Sequence, residues 1–278
     1  MQDSYLKPDD YAEPRCLLCD EAFGVMPEVK SVPQGRIIEK MNYYMGKNDY
    51  AGAERHLLYW LNEAKLGNDL QGELMIRNEL VGHFRKTGNR AGAFENAQAA
   101  LKLVDKLGFK NDKSAGVTYI NVATAYNAFG ENEKSIEVFS MAQSAFENMK
   151  SPDIELLGGL YNNMALTLVA LNRFEEAFLY YDKALQSMQK VKNGELECAI
   201  TYLNMADAYN ISLGQEEAES KVFELLDKAY ELLNTPDVPK NGYYAFVCEK
   251  CAPSFSFYGY FAAANELNQR AKEIYERD

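Results

Sequence analysis

KTGNRAGAFENAQAAL (residues 86–101), AFGENEKSIEVFSMAQ (128–143) and ALNRFEEAFLYYDKAL (170–185) carry one pattern three times. Each has a turn residue, Gly88, Gly130 or Asn172, and then a small residue, Ala93, Ser135 or Ala177. The small residues recur every 42 positions, from 93 to 135 to 177. Four positions later stands Ala97, Phe139 or Tyr181, and seven later Ala100, Ala142 or Ala184. Small side chains at helical spacing let two antiparallel helices approach closely, and the larger residue fills the gap beside them. The segment before each turn is helical as well. In VTYINVATAYNAF, Val117, Ile120, Ala123 and Phe129 recur at steps of three and four residues or their sums. Gly, and less often Asn, ends a helix because it tolerates the left-handed conformation. Each unit therefore reads as helix, turn, helix.

Working outward, Gly46 with Ala51 fits the pattern one step earlier. Gly259 with Ala264 fits it 87 residues beyond Ala177, room for one unit of 42 and one of 45. The extra three residues fall around 212–221. Ser151-Pro152-Asp153-Ile154-Glu155 reads as a helix start, with a capping Ser, Pro at the first helical position and acids in the first turn. Gly108, Asn111 and Asp112 mark another junction, as do Thr235-Pro236 and Pro239-Lys240.

The composition bounds the function. The chain has 278 residues, 47% hydrophobic and 25% charged, which is the globular range. With 29 basic and 41 acidic residues the net charge is -12, which repels nucleic-acid phosphates, so no nucleic-acid partner is expected. The first residues, MQDSYLKPDDYAEPR, lack the basic start and apolar run of a secretion signal. No run of about 18 apolar residues suggests a membrane span. Five cysteines, an odd and sparse set, suit a reducing cytoplasm better than a disulfide framework. A cytoplasmic protein is the expectation.

Asn121-Val122-Ala123, Asn163-Met164-Ala165 and Asn204-Met205-Ala206 each precede a turn and the small/bulky/Ala helix. On these motifs the chain resembles the tetratricopeptide repeat (TPR) family over roughly residues 34–278. The 42-residue period is longer than the usual ~34, as in kinesin light chains and the peptide-sensing regulators of Gram-positive bacteria. Asn162-Asn163-Met164-Ala165 is similar to the NNLA of the former. The resemblance implies an all-α fold, a right-handed α-α superhelix of about six helix-turn-helix repeats. We read residues 34–278 as one solenoid and 1–33 as an N-terminal arm, capping, docked or partly disordered.

The resemblance also implies a concave groove lined by the first helix of each repeat. In the family, the Asn of the NxA motif and residues three and six or seven later point into it. Carried onto this sequence, the groove candidates are Asn121, Thr124 and Asn127, then Asn162 and Asn163, then Asn204, Asp207 and Asn210. The second repeat offers Asn78 and Arg85, and the first Arg36, Lys40 and Tyr43. An Asn amide both donates and accepts, so a ladder of them can pair with an extended peptide backbone. The alternative is that these residues brace the next helix. The Lys/Asn/Arg clamp by which one subgroup holds a peptide carboxylate is missing, because Ile120, Thr124, Leu166 and Asp207 stand at the partner positions.

Other chemistry is sparse. Cys16-Leu17-Leu18-Cys19 and Cys248-Glu249-Lys250-Cys251 could complete a tetrahedral zinc site only if the two ends of the chain met. Cys16 and Cys19 are the better candidates for metal or redox work. Cys248, Cys251 and Cys198 read as helix core. His56 and His83 lie in helices with no nucleophile constellation, and no phosphate-binding loop occurs. We expect no enzyme activity and no cofactor.

Pro253 is expected to kink or break its helix. The aromatics Phe255, Phe257, Tyr258, Tyr260 and Phe261 around it read as core more than as surface. Leu267, Ile274 and Tyr275 would cover the last unit, and any left exposed would favour a homodimer through the C-terminal end. The sequence thus points to a scaffold binding a peptide or protein segment. Its alternatives are a peptide-responsive regulator acting by protein contact and a metal or redox module at Cys16 and Cys19.

Overall fold

The computed structural model describes residues 29–109 and 112–277. These residues form twelve helices in consecutive pairs. The first three pairs are α1 (Gln34–Gly46) with α2 (Tyr50–Leu66), α3 (Leu70–Lys86) with α4 (Arg90–Leu107), and α5 (Lys113–Ala128) with α6 (Asn132–Glu147). Next come α7 (Ile154–Ala170) with α8 (Phe174–Met188), and α9 (Glu195–Leu213) with α10 (Gln215–Leu233). The last pair is α11 (Gly242–Phe257) with α12 (Phe261–Tyr275). The described residues fall into two compact units, one ending at Ala145 and one beginning at Phe146, so the division lies inside α6.

The turns inside the pairs use the residues that the pattern picked out. Gly88, Gly130, Asn172, Gly214 and Gly259 all have positive φ. The first pair differs. Its left-handed residue is Asn48, at φ 55, whereas Gly46 still belongs to α1. Asp49 caps α2 through the Gly52 amide, as Asn89 caps α4 through Gly92. The equivalent small residue is therefore Ala53, fully buried like Ala93, and not the exposed Ala51. The first step is 40 residues, from 53 to 93. Asp153, not Ser151, caps α7, accepting from the Leu156 amide, so Pro152 precedes the helix.

In the first unit the core gathers Ile37 from α1, Leu57, Trp60 and Leu61 from α2, Ile76, Leu80 and Phe84 from α3, and Ala93 from α4. Ser135, buried at a small-residue position of α6, donates to the Ala123 carbonyl of α5 at 2.8 Å, which removes the cost of an unpaired hydroxyl. In the second unit Ala177, Tyr181, Ala184 and Leu185 of α8 are buried. So are Cys198 of α9 and Cys248 and Cys251 of α11. Burial pushes the Cys198 thiol up to about 11 and the Cys251 thiol to about 12, so both stay protonated. Leu267 and Ile274 of α12 are buried, and Tyr275 is exposed. The extra three residues fall after the turn of the fifth pair, since Gly214 follows Asn172 by 42 residues and Gly259 follows Gly214 by 45; the 19-residue α10 and the loop after it hold them.

Pro253 does not break its helix. α11 runs on to Phe257. Nor do the surrounding aromatics form one core group. Phe255 is buried, whereas Phe257 and Phe261 are 74% and 64% exposed.

The Tyr181 hydroxyl is buried with no hydrogen-bond partner among the described residues. An unpaired buried hydroxyl costs about 1–3 kcal/mol of desolvation. Tyr181→Phe, which removes only that oxygen, should therefore raise the urea midpoint, by about 1 kcal/mol of stability. A lower midpoint would mean that the hydroxyl has a partner.

Candidate functional site

The buried positions fix which face each first helix turns outward. In α5 they are Ala115, Gly116, Thr118, Tyr119, Val122, Ala123, Ala125 and Tyr126. In α7 they are Leu157, Gly158, Leu160, Tyr161, Met164, Ala165, Thr167 and Leu168, each 42 residues further on. α3 keeps the same register 42 residues before α5, with Leu74, Ile76, Arg77, Leu80, Val81, His83 and Phe84 buried. α11 keeps it 87 residues after α7. In α9 the best match is 41 residues after α7. Along the less buried side of each helix runs a stripe at steps of three and four. In α5 it is Ser114, Val117, Asn121 and Thr124, and in α7 Gly159, Asn163 and Leu166. In α9 it includes Glu197, Asn204 and Asp207. These are the NxA positions with their flanks, so within each of these helices the NxA asparagine falls on the less buried side, whereas Asn127 and Asn162 stand off that stripe.

In the first unit this face forms a cavity of about 530 Å³ between α3 and α5. Its walls include Met75, Asn78 and Glu79 of α3 and Ser114, Val117 and Asn121 of α5, with Gln34 at the start of α1 and Phe109 after α4. Asn78 is half-buried, and its amide donates to Thr118 Oγ1 at 2.9 Å, which ties α3 to α5. Asn121 shows no side-chain hydrogen bond among the described residues. The residue of α3 in register with Asn121 is Glu79, not Asn78. Burial pushes the Glu79 carboxyl above the usual carboxylate range. A Cβ added at Gly82, the next stripe position of α3, would meet nothing within 4 Å, so the face is open there. Arg85 is exposed and does not line the cavity.

The other first-unit candidates are used locally. Thr124 donates to the Ile120 carbonyl of its own helix at 2.6 Å. Asn127 donates to Asn132 Oδ1 at 3.2 Å across the α5–α6 turn. Arg36, Lys40 and Tyr43 lie along α1, where the Lys40 ammonium sits 4.3 Å from the Tyr43 ring centroid. None of the three lines the cavity.

In the second unit Asn204 of α9 donates to Asn162 Oδ1 of α7 at 3.0 Å. Both amides are half-buried, so this pair braces neighbouring repeats, the alternative role for the ladder. Asn163 and Asn210 are half-buried. Asp207 accepts from the Tyr258 hydroxyl at 2.8 Å. Desolvation raises the Asp207 carboxyl, and the Tyr258 hydrogen bond only partly offsets it. Glu197 accepts from the Tyr243 hydroxyl of α11. Its carboxyl is raised by burial first, against the pull of Lys250, with Glu155 adding to the rise.

Sequence reasoning missed the stripe of α11, which comprises Tyr243, Phe246, Lys250, Pro253 and Phe257. Tyr243, Phe246 and Phe257 are all exposed, and the first two rings stack with centroids 6.2 Å apart. A signal was there to find. Lys250-Cys251-Ala252 stands in the place of Asn204-Met205-Ala206, 46 residues on, with Lys replacing the Asn. Glu79 was missed for the same reason, since Glu79-Leu80-Val81 keeps neither the Asn nor the Ala.

A second cavity, of about 350 Å³, lies among Met188, Gly194, Cys198, Tyr202, Lys228 and Leu232 and holds none of the groove candidates. No three His, Cys, Asp or Glu side chains come together as metal ligands among the described residues. Cys16 and Cys19 lie outside the described residues. No described helix is long and apolar enough to cross a membrane.

No protein-family profile and no curated protein sequence matches the chain. Solved structures do. A kinesin-light-chain-like protein of Podosopora anserina with nearly identical TPR-like repeats superposes at TM-score 0.51, with 17% identity over 73% of this chain and 95% of its own. A variant of the same protein gives 0.52, with 17% identity over 74% and 97%. BtubC (BKLC) from P. vanneervenii gives 0.52, with 18% identity over 89% of this chain and 92% of its own. Helix pairs, left-handed turn residues, a common first-helix register and these neighbours agree: the chain has the TPR-like repeat fold of the kinesin-light-chain-like proteins.

Proposed function

We propose that this chain is a protein-interaction scaffold that holds an extended peptide segment against the stripe face of its first helices. The observation that carries the reading is the cavity between α3 and α5. It is wide enough for side chains, at about 530 Å³, and it presents the Asn121 amide beside Gln34, Ser114 and Glu79. An amide that is not already paired can exchange both bonds with a peptide backbone. The helices are fixed by their own core, so binding orders mainly the ligand.

A photo-crosslinking residue in place of Asn121 tests this in extracts of the native cell. It should capture a partner that the same residue at Glu137, exposed on α6, does not. Capture from Glu137 alone would move the interaction to the second helices and end the groove reading.

A further inference from the structure

The outward stripe of α11 carries exposed aromatic rings where those of α5, α7 and α9 carry none. Tyr243, Phe246 and Phe257 are 46%, 50% and 74% exposed. In α9 the residue in register with Phe257 is Ile211, also 59% exposed. Single exposed apolar residues are ordinary; here they stand in two groups on adjoining stripes of neighbouring helices, Tyr243 with Phe246 near the start of α11 and Phe257 with Ile211 at the other end.

An acid stands beside each group. Glu197 meets Tyr243 at one end, and Asp207 meets Tyr258 at the other. The Tyr258 ring packs edge-on against Phe257, with centroids 4.9 Å apart. Lys250 lies near Glu197 and answers part of its charge. Among the described residues no Lys or Arg pairs with Asp207, which accepts from the Tyr258 hydroxyl and also lies near Tyr181. A half-buried carboxylate beside an exposed aromatic face is a fitting site for a guanidinium or ammonium, which pairs with the one and stacks on the other. The Tyr243–Phe246 pair, further along, offers an apolar platform of two stacked rings beside the partly compensated Glu197.

We propose that the α9–α11 face of the second unit binds a peptide segment carrying a basic residue, seated on Asp207 and Phe257, and a large apolar residue, seated on Tyr243 and Phe246. The proposal rests on the groove reading above and adds the ligand's chemistry. Phe246 and Phe257 are eleven residues apart on one helix, about 16 Å at 1.5 Å per residue. An extended chain covers that in about five residues, so the two anchors stand about five positions apart. The acidic net charge of -12 favours approach of such a segment over an acidic one.

A random peptide library displayed on phage and panned on the full chain tests this. Panning should enrich peptides with Arg or Lys about five positions from an aromatic or large aliphatic residue. Asp207→Asn, which keeps an acceptor for Tyr258, and Phe257→Ser, at an exposed position, should each weaken the selected synthetic peptides tenfold or more in fluorescence anisotropy. Unchanged circular dichroism would show that both variants fold. Enrichment of acidic peptides, binding unaffected by both variants, or no enrichment would overturn the proposal. If crosslinking from Asn121 still captures a partner in that case, the groove reading survives and only the ligand chemistry fails. If neither experiment finds binding on the first helices, both fail.

Discussion

Trp60→Ala should cost about 3–5 kcal/mol, the range for emptying a buried large aromatic site. Trp60 is 1% exposed and sits where α1, α2 and α3 meet, in the core of Ile37, Leu57, Ile76 and Leu80. Its ring lies 5.3 Å from that of Tyr59 and 6.5 Å from that of His56, so deletion also removes two edge-on aromatic contacts. The flanking helices cannot close on the void, because each is held to its own partner by a left-handed turn at Asn48 or Gly88. Repeat stability is a sum of local terms, so the loss should fall on the first unit. Thermal melting by circular dichroism should show part of the helix signal lost early. Fluorescence is unsuitable, since Trp60 is the chain's one tryptophan. A single transition moved by less than about 1 kcal/mol would show that this core is not shared by the three helices.

Gly194→Ala should destabilise although alanine is the better former of helix interiors. Gly194 precedes α9 with φ -71, an ordinary right-handed conformation, so strain in φ is not the reason. At the N-cap, which Gly194 occupies, glycine is already preferred over alanine, so capping contributes a smaller loss of the same sign. The larger obstacle is space. A Cβ at Gly194 would lie 2.0 Å from the Met188 carbonyl oxygen and 3.2 Å from that of Val191. Both are backbone, so the loop from Gln189 to Asn193 must open, at about 1–3 kcal/mol as for an overpacked core. Gly159→Ala is the contrast. It lies within α7 with nothing within 4 Å of its new Cβ, and it should stabilise by up to about 1 kcal/mol. Denaturant midpoints of the two variants should move in opposite directions; movement in the same direction would contradict the packing described at Gly194.

The repeat was legible because its signals are local. A left-handed turn needs Gly or Asn whatever surrounds it, so Gly88, Gly130, Asn172 and Gly214 could be read directly. The first repeat was misplaced by two residues because Gly46 and Ala51 imitate the spacing, while Asn48 and Ala53 hold the geometry. Only the cap at Asp49, matching that at Asn89, reveals the shift. Pro253 was read as a breaker because sequence shows the missing amide and not the packing of Cys251, Ala252 and Phe255 that keeps α11 in place.

The groove was legible as a face but not as chemistry. Asn121 and Asn204 share one register, yet Asn121 lines a cavity and Asn204 is bonded to Asn162. Sequence spacing alone does not decide which fate an amide meets: Asn204 bonds Asn162, 42 residues before it, whereas Glu79, 42 residues before Asn121 and in the same cavity, makes no hydrogen bond to it among the described residues. In α11 the Lys250 that replaces the diagnostic Asn conceals Tyr243 and Phe246, and Phe257, which the sequence places among core aromatics, is exposed because its register position faces outward.

Partners held on the first helices would touch their stripes and leave the second helices free. A photo-crosslinking scan tests this most directly, with the probe placed in turn at Val117, Asn121, Gly159 and Phe246 on the stripes, and at Glu137, Asp182 and Glu219 on exposed second-helix positions. One partner should be captured from stripe positions and from none of the second-helix positions. Capture confined to the second helices, with the stripes silent, would contradict binding on the first helices.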